Sequence, residues 1–426
     1  MVDFDYKVIK EHLMNSITKG SRILDLYSYG NTLLYELWPY YKIVGIDNNE
    51  KLYNQKYYWK IHYIVNDLSN INFPPSFFDA ITAIRLNKRT QDISSIGKIL
   101  SKILKPNGKV LMTLDKKVSN IESYLDSVIK SLEKHNFIIE NMDRYDTFVF
   151  LELIIKKKVN EREINEIYIY HPNIEGEGIT EYTKVLKKRL QKLGIKVFDG
   201  LAKPGSIQLI EYENALNIDL NLFEKDSYVE VHSEPPTTTR KDLIYLMHVP
   251  PYNYYPANWY YVPHIAYEIE PIKKEKKYDW CSFGFSMIFK HYEKIIFLKG
   301  KKKLVISINK LLPNKYYLYF LKFLKIFSRN LDIVSKDYFR EDELISELSE
   351  CKAFVFFQDS KHQSSGTMRL AVVFGVPVYA KDSYQARESQ VIRFHNIREL
   401  KSPYIIKDSI NIDDGLDYLL SVLKYA

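Results

Sequence analysis

Short apolar runs rich in β-branched and aromatic residues recur along the chain, separated by longer mixed stretches. Between residues 21 and 155 they read RILDLYS, YKIVGID, HYIVND, FFDAITAI, KVLMTLD and TFVFLELII, each a predicted strand. Helical patterns lie between several of them, and strands alternating with helices predict a parallel, doubly wound sheet. The stretch KKKVNEREINE, residues 156–166, is charged and has no apolar period, so it reads as a linker. A second strand–helix alternation begins with IYIY at 167–170. A third begins near Trp280 and runs through LVISI, LDIVS, AFVFF and PVYAK, and GLDYLLSVLKYA closes the chain as a helix. The fold class expected is α/β, with three Rossmann-like units at residues 1–158, 165–275 and 276–426.

Two loops carry candidate binding chemistry. After IYIY, Gly176 and Gly178 precede a helix with Ile179, Tyr182, Leu186, Leu190 and Leu193 near helical spacing, ended by Gly194. A glycine loop at a helix start offers free N–H groups to phosphate or sugar oxygens, although the same loop serves as a common strand–helix turn. Ser364, Ser365, Gly366 and Thr367 immediately precede the apolar MRLAVVF. Their N–H groups and hydroxyls suit an anion, with Arg369 as an added cation, while an ordinary N-cap is the plainer alternative. Two aromatic segments stand apart. Residues 249–263, VPPYNYYPANWYYVP, suit either sugar stacking or a membrane interface, or a packed loop. Residues 308–330, INKLLPNKYYLYFLKFLKIFSRN, are aromatic and basic, fitting an anionic membrane surface or a core helix with outward lysines.

Composition narrows the field. The 61 Lys+Arg against 53 Asp+Glu leave +8 without a concentrated basic run, which suits an anionic small molecule or membrane surface rather than nucleic acid. Hydrophobic residues at 46% exclude a disordered chain. Cys281 and Cys351 are too few for a disulfide framework or a four-thiolate zinc site, and no convincing Asp-x-Asp metal motif appears. No apolar run is long enough to span a bilayer, and the first twenty residues carry charges. A cytoplasmic protein is expected, with peripheral membrane contact left open. Few glycines and many charges fit a thermophile or an AT-rich genome.

The first block resembles a class I S-adenosylmethionine methyltransferase over about residues 1–158. The resemblance rests on SRILDLYSYGN, Asp47 ending the second strand, Asp67 after the third, and LKPNG at 104–108 before a late strand. In that family the acid ending the second strand holds the ribose hydroxyls, and the acid after the third lies near the adenine. Its first loop is glycine-rich, because the backbone there touches the cofactor. Here Tyr27 and Tyr29 occupy two glycine positions. The expectation is a degenerate domain that does not bind S-adenosylmethionine.

The rest of the chain resembles retaining GT-B fold glycosyltransferases that use nucleotide sugars. IYIYHPNIEGEGITEYTKVLKKRLQKLGIKVFDG is similar to the opening of their N-terminal domain. SYVEVHSEPP, residues 227–236, resembles the strand ending in a histidine at the cleft. WCSFGFSMIFKHYEKIIFL matches the donor-diphosphate segment at Gly284 and Lys290, with Phe285 and His291 at its other positions. Residues 339–382 match through Ala371 and Gly375-Val376-Pro377-Val378, while His362 and Leu370 replace the family's two glutamates. The resemblance implies a GT-B pair with an interdomain cleft, a UDP- or GDP-sugar donor held by Lys290, Ser364, Ser365, Gly366, Thr367 and Arg369, and no metal. It implies a sugar transfer to a glycan, lipid or protein acceptor near His232 and Glu234. His232 also suits a satisfied buried histidine, and Glu234 a surface carboxylate. The terminal helix is expected to brace the GT-B pair. The alternatives are a noncatalytic binding or scaffold protein, and an active methyltransferase.

Overall fold

The structure is a computed structural model. It describes residues 2–27, 36–48, 61–88, 93–117, 120–172, 178–213, 216–232, 235–248, 255–308, 315–358, 366–383, 386, 389–400, 403 and 413–426. The fold is mixed α/β with three sheets of mostly parallel strands. The chain forms two compact units: residues 1–164 with 244–263 and 413–426, and residues 165–243 with 264–412.

In the first unit, helix α1 (Val2–Ser16) precedes strands β1 (Arg22–Leu26), β2 (Lys42–Asp47), β3 (His62–Val65) and β4 (Phe78–Ala83). Helix α2 (Ile93–Ile103), β5 (Leu104–Asp115), α3 (Ile121–Glu133), β6 (Phe137–Arg144) and β7 (Phe148–Ile155) follow. The sheet order is β3-β2-β1-β4-β5-β7-β6. Strands β1 to β5 pair in parallel, and β7 is antiparallel to both neighbours. The burial follows the residues. FVFLELII is apolar throughout except for Glu152, and β7 is buried along its whole length. Strand β6 lies at the edge and, after the buried Phe137, alternates exposed and half-buried positions. The LKPNG turn is part of β5, where the register with β4 shifts after Phe78. A Cβ at Gly108 would fall 2.9 Å from the Lys105 carbonyl oxygen and 3.2 Å from that of Asp79, so this irregularity requires glycine.

The second unit opens with β8 (Glu166–Tyr170), α4 (Gly178–Lys192), β9 (Lys196–Asp199), β10 (Ile207–Tyr212) and β11 (Tyr228–Val231), with neighbours in the order β11-β10-β8-β9, all parallel. Helix α4 buries Tyr182, Leu186 and Leu190 as its spacing predicts, together with Thr180 and Thr183. Leu193 lies beyond the helix and is exposed, and Gly194 ends the turn at φ +81°. The chain then returns to the first unit for the parallel pair β12 (Ile244–Met247) and β13 (Trp259–Tyr261).

Back in the second unit lie β14 (Trp280–Phe285), β15 (Lys302–Ser307), α5 (Lys315–Leu324), β16 (Leu331–Lys336), α6 (Glu341–Leu348), β17 (Phe354–Phe356), α7 (Gly366–Val372), β18 (Val378–Lys381) and β19 (Ile392–Phe394). Their sheet runs β16-β15-β14-β17-β18-β19, again parallel. Cys281, in β14, is joined to Cys351 in a disulfide, a pairing the cysteine count left unassigned. The last helix, α8 (Gly415–Tyr425), belongs to the first unit. Asp413 and Asp417 hold Arg22, and Ser421 Oγ donates to the Pro75 carbonyl over 2.8 Å. Residues 244–263 and 413–426 group with the N-terminal residues, apart from 165–243 and 264–412.

Candidate functional site

In the first unit the chain builds outward from β1 in one direction to β2 and β3, and in the other to β4. Such a reversal leaves a crevice at the carboxyl ends of the strands, where doubly wound folds bind ligands. Asp25 in β1 is buried and accepts a hydrogen bond from Thr82 Oγ1 in β4. Just beyond it, Tyr27 adopts φ +58° and donates its N–H to the Ile46 carbonyl over 2.7 Å. Tyrosine thus takes the left-handed backbone that glycine adopts readily, and its ring is buried. Asp47 ends β2 with its side chain buried, twenty-two residues after Asp25. That is the place and spacing at which an acid reaches a nucleotide ribose in doubly wound folds. The Asn66 N–H meets the Asp47 carbonyl at 3.0 Å. Asp67 caps a short turn, accepting from Ser69 N at 2.9 Å and Ser69 Oγ at 2.7 Å. Tyr29 lies outside the described residues.

A charged cluster that the sequence analysis missed lies at the ends of β4 and β5. Arg85, at φ +51°, donates to Asp5 through Nε at 2.7 Å and to Asp115 through Nη1 at 2.9 Å. Asn87 Nδ2 donates to the Asp115 carbonyl, and the Asp115 N–H donates back to Asn87 Oδ1, each at 2.9 Å. The hydrogen bond to Asp5, against the cost of burial, holds the Arg85 guanidinium above its ordinary value. Asp5 sits in a run, VDFDYK, whose alternating charges resemble a solvated helix start. Its full burial depends on a partner eighty residues away.

The second unit holds a cavity of about 560 Å³. His232, Lys290, Gly366, Thr367 and Gly178 all border it. Gly176, Glu234, Ser364 and Ser365 lie outside the described residues. Arg369 is fully buried in α7 and is not among the residues bordering the cavity. Helix α7 has only seven residues, too short to carry a strong terminal dipole.

The cavity wall carries a polar cluster. His232 Nε2 lies 2.6 Å from Glu211 Oε2, and the Tyr182 hydroxyl donates to Glu230. Burial pushes both carboxyls upward, and for Glu230 repulsion from Glu211 adds to it. Burial also lowers the His232 imidazole to about 3, so it is neutral at pH 7. The geometry can hold a proton between neutral groups. Glu230 was missed because the strand YVEV reads as half-exposed, whereas all four residues of β11 are buried. Lys290 is nine-tenths buried, and desolvation lowers its ammonium to about 8. A Cβ at Gly284, where φ is +127°, would fall 2.9 Å from Lys290 Nζ, so glycine lets the amine cross the strand end.

Residues 28–112 match the sequence model of a family described as a methyltransferase domain. Solved structures with a likeness include a putative S-adenosylmethionine dependent methyltransferase from Listeria monocytogenes, at 12% identity, TM-score 0.31, over 37% of this chain and 100% of that one. A SAM dependent methyltransferase from Aquifex aeolicus is similar at 17% identity, TM-score 0.31, over 35% and 89%. An S-adenosylmethionine dependent methyltransferase from Mesorhizobium loti is similar at 15%, TM-score 0.31, over 36% and 100%. No curated protein matches the sequence at a significant level.

The family match over residues 28–112 marks a methyltransferase-like domain in the chain. The expectation that S-adenosylmethionine is not its cofactor is corrected, because the family match spans the loop in which Tyr29 stands and points to that cofactor. The physical objection also weakens, since Tyr27 reaches the backbone conformation the loop needs. No helix among the described residues is long and apolar enough to cross a membrane.

Proposed function

We propose that the first unit binds S-adenosylmethionine at the carboxyl edge of β1, β2 and β3 and serves methyl transfer. The observation that carries this is the Asp47 carboxylate, buried at the end of β2 beside the β1–β4 reversal. A carboxylate there suits a ribose diol, and the turn capped by Asp67 follows β3 as the adenine side requires. The bound cofactor would supply the activated methyl group. The chain's own part is to hold ribose through Asp47 and to close the crevice floor with the Asp25–Thr82 contact. Equilibrium dialysis of the full chain against labelled S-adenosylmethionine tests this. Binding is expected, weakened at least about ten-fold in Asp47→Ala, as for loss of hydrogen bonds to a charged group. Absence of binding by the intact chain overturns the reading.

A second reading, sugar transfer by the second unit, is supported by one observation. His232, Lys290, Gly366 and Thr367, widely separated in sequence, border a single cavity. Thermal shift with a panel of nucleoside diphosphates, UDP and GDP among them, tests it, with stabilisation expected in the intact protein and reduced in Lys290→Ala. No stabilisation by any of the panel removes this reading.

A further inference from the structure

Helix α5 has two apolar faces. Tyr317, Leu318 and Leu321 are buried in the core against Trp280, Ile295 and Leu304. Tyr316, Tyr319, Phe320 and Phe323 stand at i, i+3, i+4 and i+7, a single stripe on a helix. They are 87%, 64%, 46% and 54% exposed. The following turn extends the apolar surface with Ile326 and Phe327, exposed by 72% and 71%, and the Phe323 and Phe327 rings meet at 5.2 Å. The segment thus packs one face into the core, as one of its two sequence readings expects, and leaves the other face exposed.

The charge within the segment that carries the stripe is of one sign, and the acids against it are Asp332, paired with Lys325, and Glu293, held by the buried Tyr317. Residues 315–331 contain Lys315, Lys322, Lys325 and Arg329 and no Asp or Glu. Lys325 is paired with Asp332 at 3.2 Å, while Lys315 and Lys322 flank the stripe and are exposed. A second copy docking through this face would oppose lysine to lysine, and lysine is depleted from the core of protein interfaces. Tyrosine and phenylalanine beside lysine instead match the boundary of an anionic bilayer, where rings enter the headgroup layer and ammonium groups meet phosphates.

We propose that α5 and the turn after it form a peripheral docking surface for an anionic phospholipid bilayer. The rings of Tyr316, Tyr319, Phe320 and Phe323 insert, and Lys315 and Lys322 contact lipid phosphates. Flotation of the full chain tests this with vesicles of phosphatidylcholine alone and of phosphatidylcholine mixed with phosphatidylglycerol. The chain is expected to float with the mixed vesicles and to stay behind with the neutral ones, and raised salt is expected to release it. Replacing the four stripe residues by serine should abolish flotation with circular dichroism unchanged, because the positions are solvent-facing. Lys315→Ala and Lys322→Ala should each lower partitioning about five-fold and test the surface without touching the apolar positions. Absence of flotation, or equal flotation on both vesicle types, overturns the proposal. So does a concentration-dependent dimer that Phe323→Ser dissociates, which would assign the face to a second copy.

Discussion

Asp413 Oδ2 lies 2.7 Å from His62 Nδ1, joining the start of the last helix to the start of β3 across 351 positions of sequence. The other ring nitrogen of His62 meets the Tyr261 hydroxyl at 2.8 Å, so the imidazole is held from both sides. Asp413 also accepts from Arg22 and Tyr418, and the Arg22 guanidinium stacks over the Phe77 ring at 4.5 Å. Three separated stretches of the first unit thus converge on one buried carboxylate.

Asp413→Asn is expected to destabilise the first unit by about 1–3 kcal/mol, because buried Arg22 would lose one of its two carboxylate partners and keep only Asp417. Burial pushes the Asp413 carboxyl upward, but Arg22 and the His62 and Tyr418 hydrogen bonds outweigh it and hold the group well below the usual range. The stabilisation from Asp413 is therefore complete above the unfolded value of about 3.9 and is lost as pH falls toward the folded value. Urea unfolding as a function of pH should show a steep acid limb in the native protein and a flatter one in Asp413→Asn. An unchanged limb would mean that other carboxylates set the acid sensitivity.

Tyr27→Gly separates two opposed effects at the strand end. Relief of the left-handed conformation favours the variant by about 1–2 kcal/mol. Loss of a buried aromatic ring disfavours it by about 3–5 kcal/mol. The net expectation is destabilisation of roughly 2 kcal/mol, read by urea unfolding. A variant more stable than the native protein would show that the ring does little packing.

Reduction of the Cys281–Cys351 bond reopens a loop with a sequence separation of 70. Chain-entropy arguments give about 4 kcal/mol for a loop of that size. Both residues are fully buried, so the bond should resist reductant until the protein is partly unfolded. The reduced, alkylated protein should melt several degrees lower, with the loss confined to the second unit in hydrogen exchange.

Sequence patterning located the strands well because their signal is local. FVFLELII reads as a strand and is buried throughout, and IYIY and LVISI are likewise buried along most of their length. What escaped the sequence depends on pairs of distant residues. The docking of α8 on Arg22, the return of residues 244–263 to the first unit, and the Cys281–Cys351 bond each join segments with no shared period. The site was partly legible for the same reason. His232 and Lys290 stand out by type, whereas Glu211 and Glu230 matter because parallel strands bring them into register. Glycine spacing misled at Tyr27, since a single tyrosine can occupy the backbone region the pattern assigns to glycine.

Lys290 is where stability and ligand chemistry are most sharply opposed. Its amine is nine-tenths buried, and desolvation alone lowers it from 10.5 to about 8. A shift of that size corresponds to on the order of 3 kcal/mol of strain in the charged form. Between pH 8 and 10.5 the unfolded chain binds a proton that the folded chain does not, so stability should rise with pH across that window; below it the cost is fully present. Lys290→Met keeps the volume and removes the charge. At pH 7 it should therefore unfold at a higher urea concentration than the native protein, and its advantage should shrink toward pH 10. Equal stability at both pH values would mean that the ammonium is already compensated, and the cost assigned to its burial would be wrong.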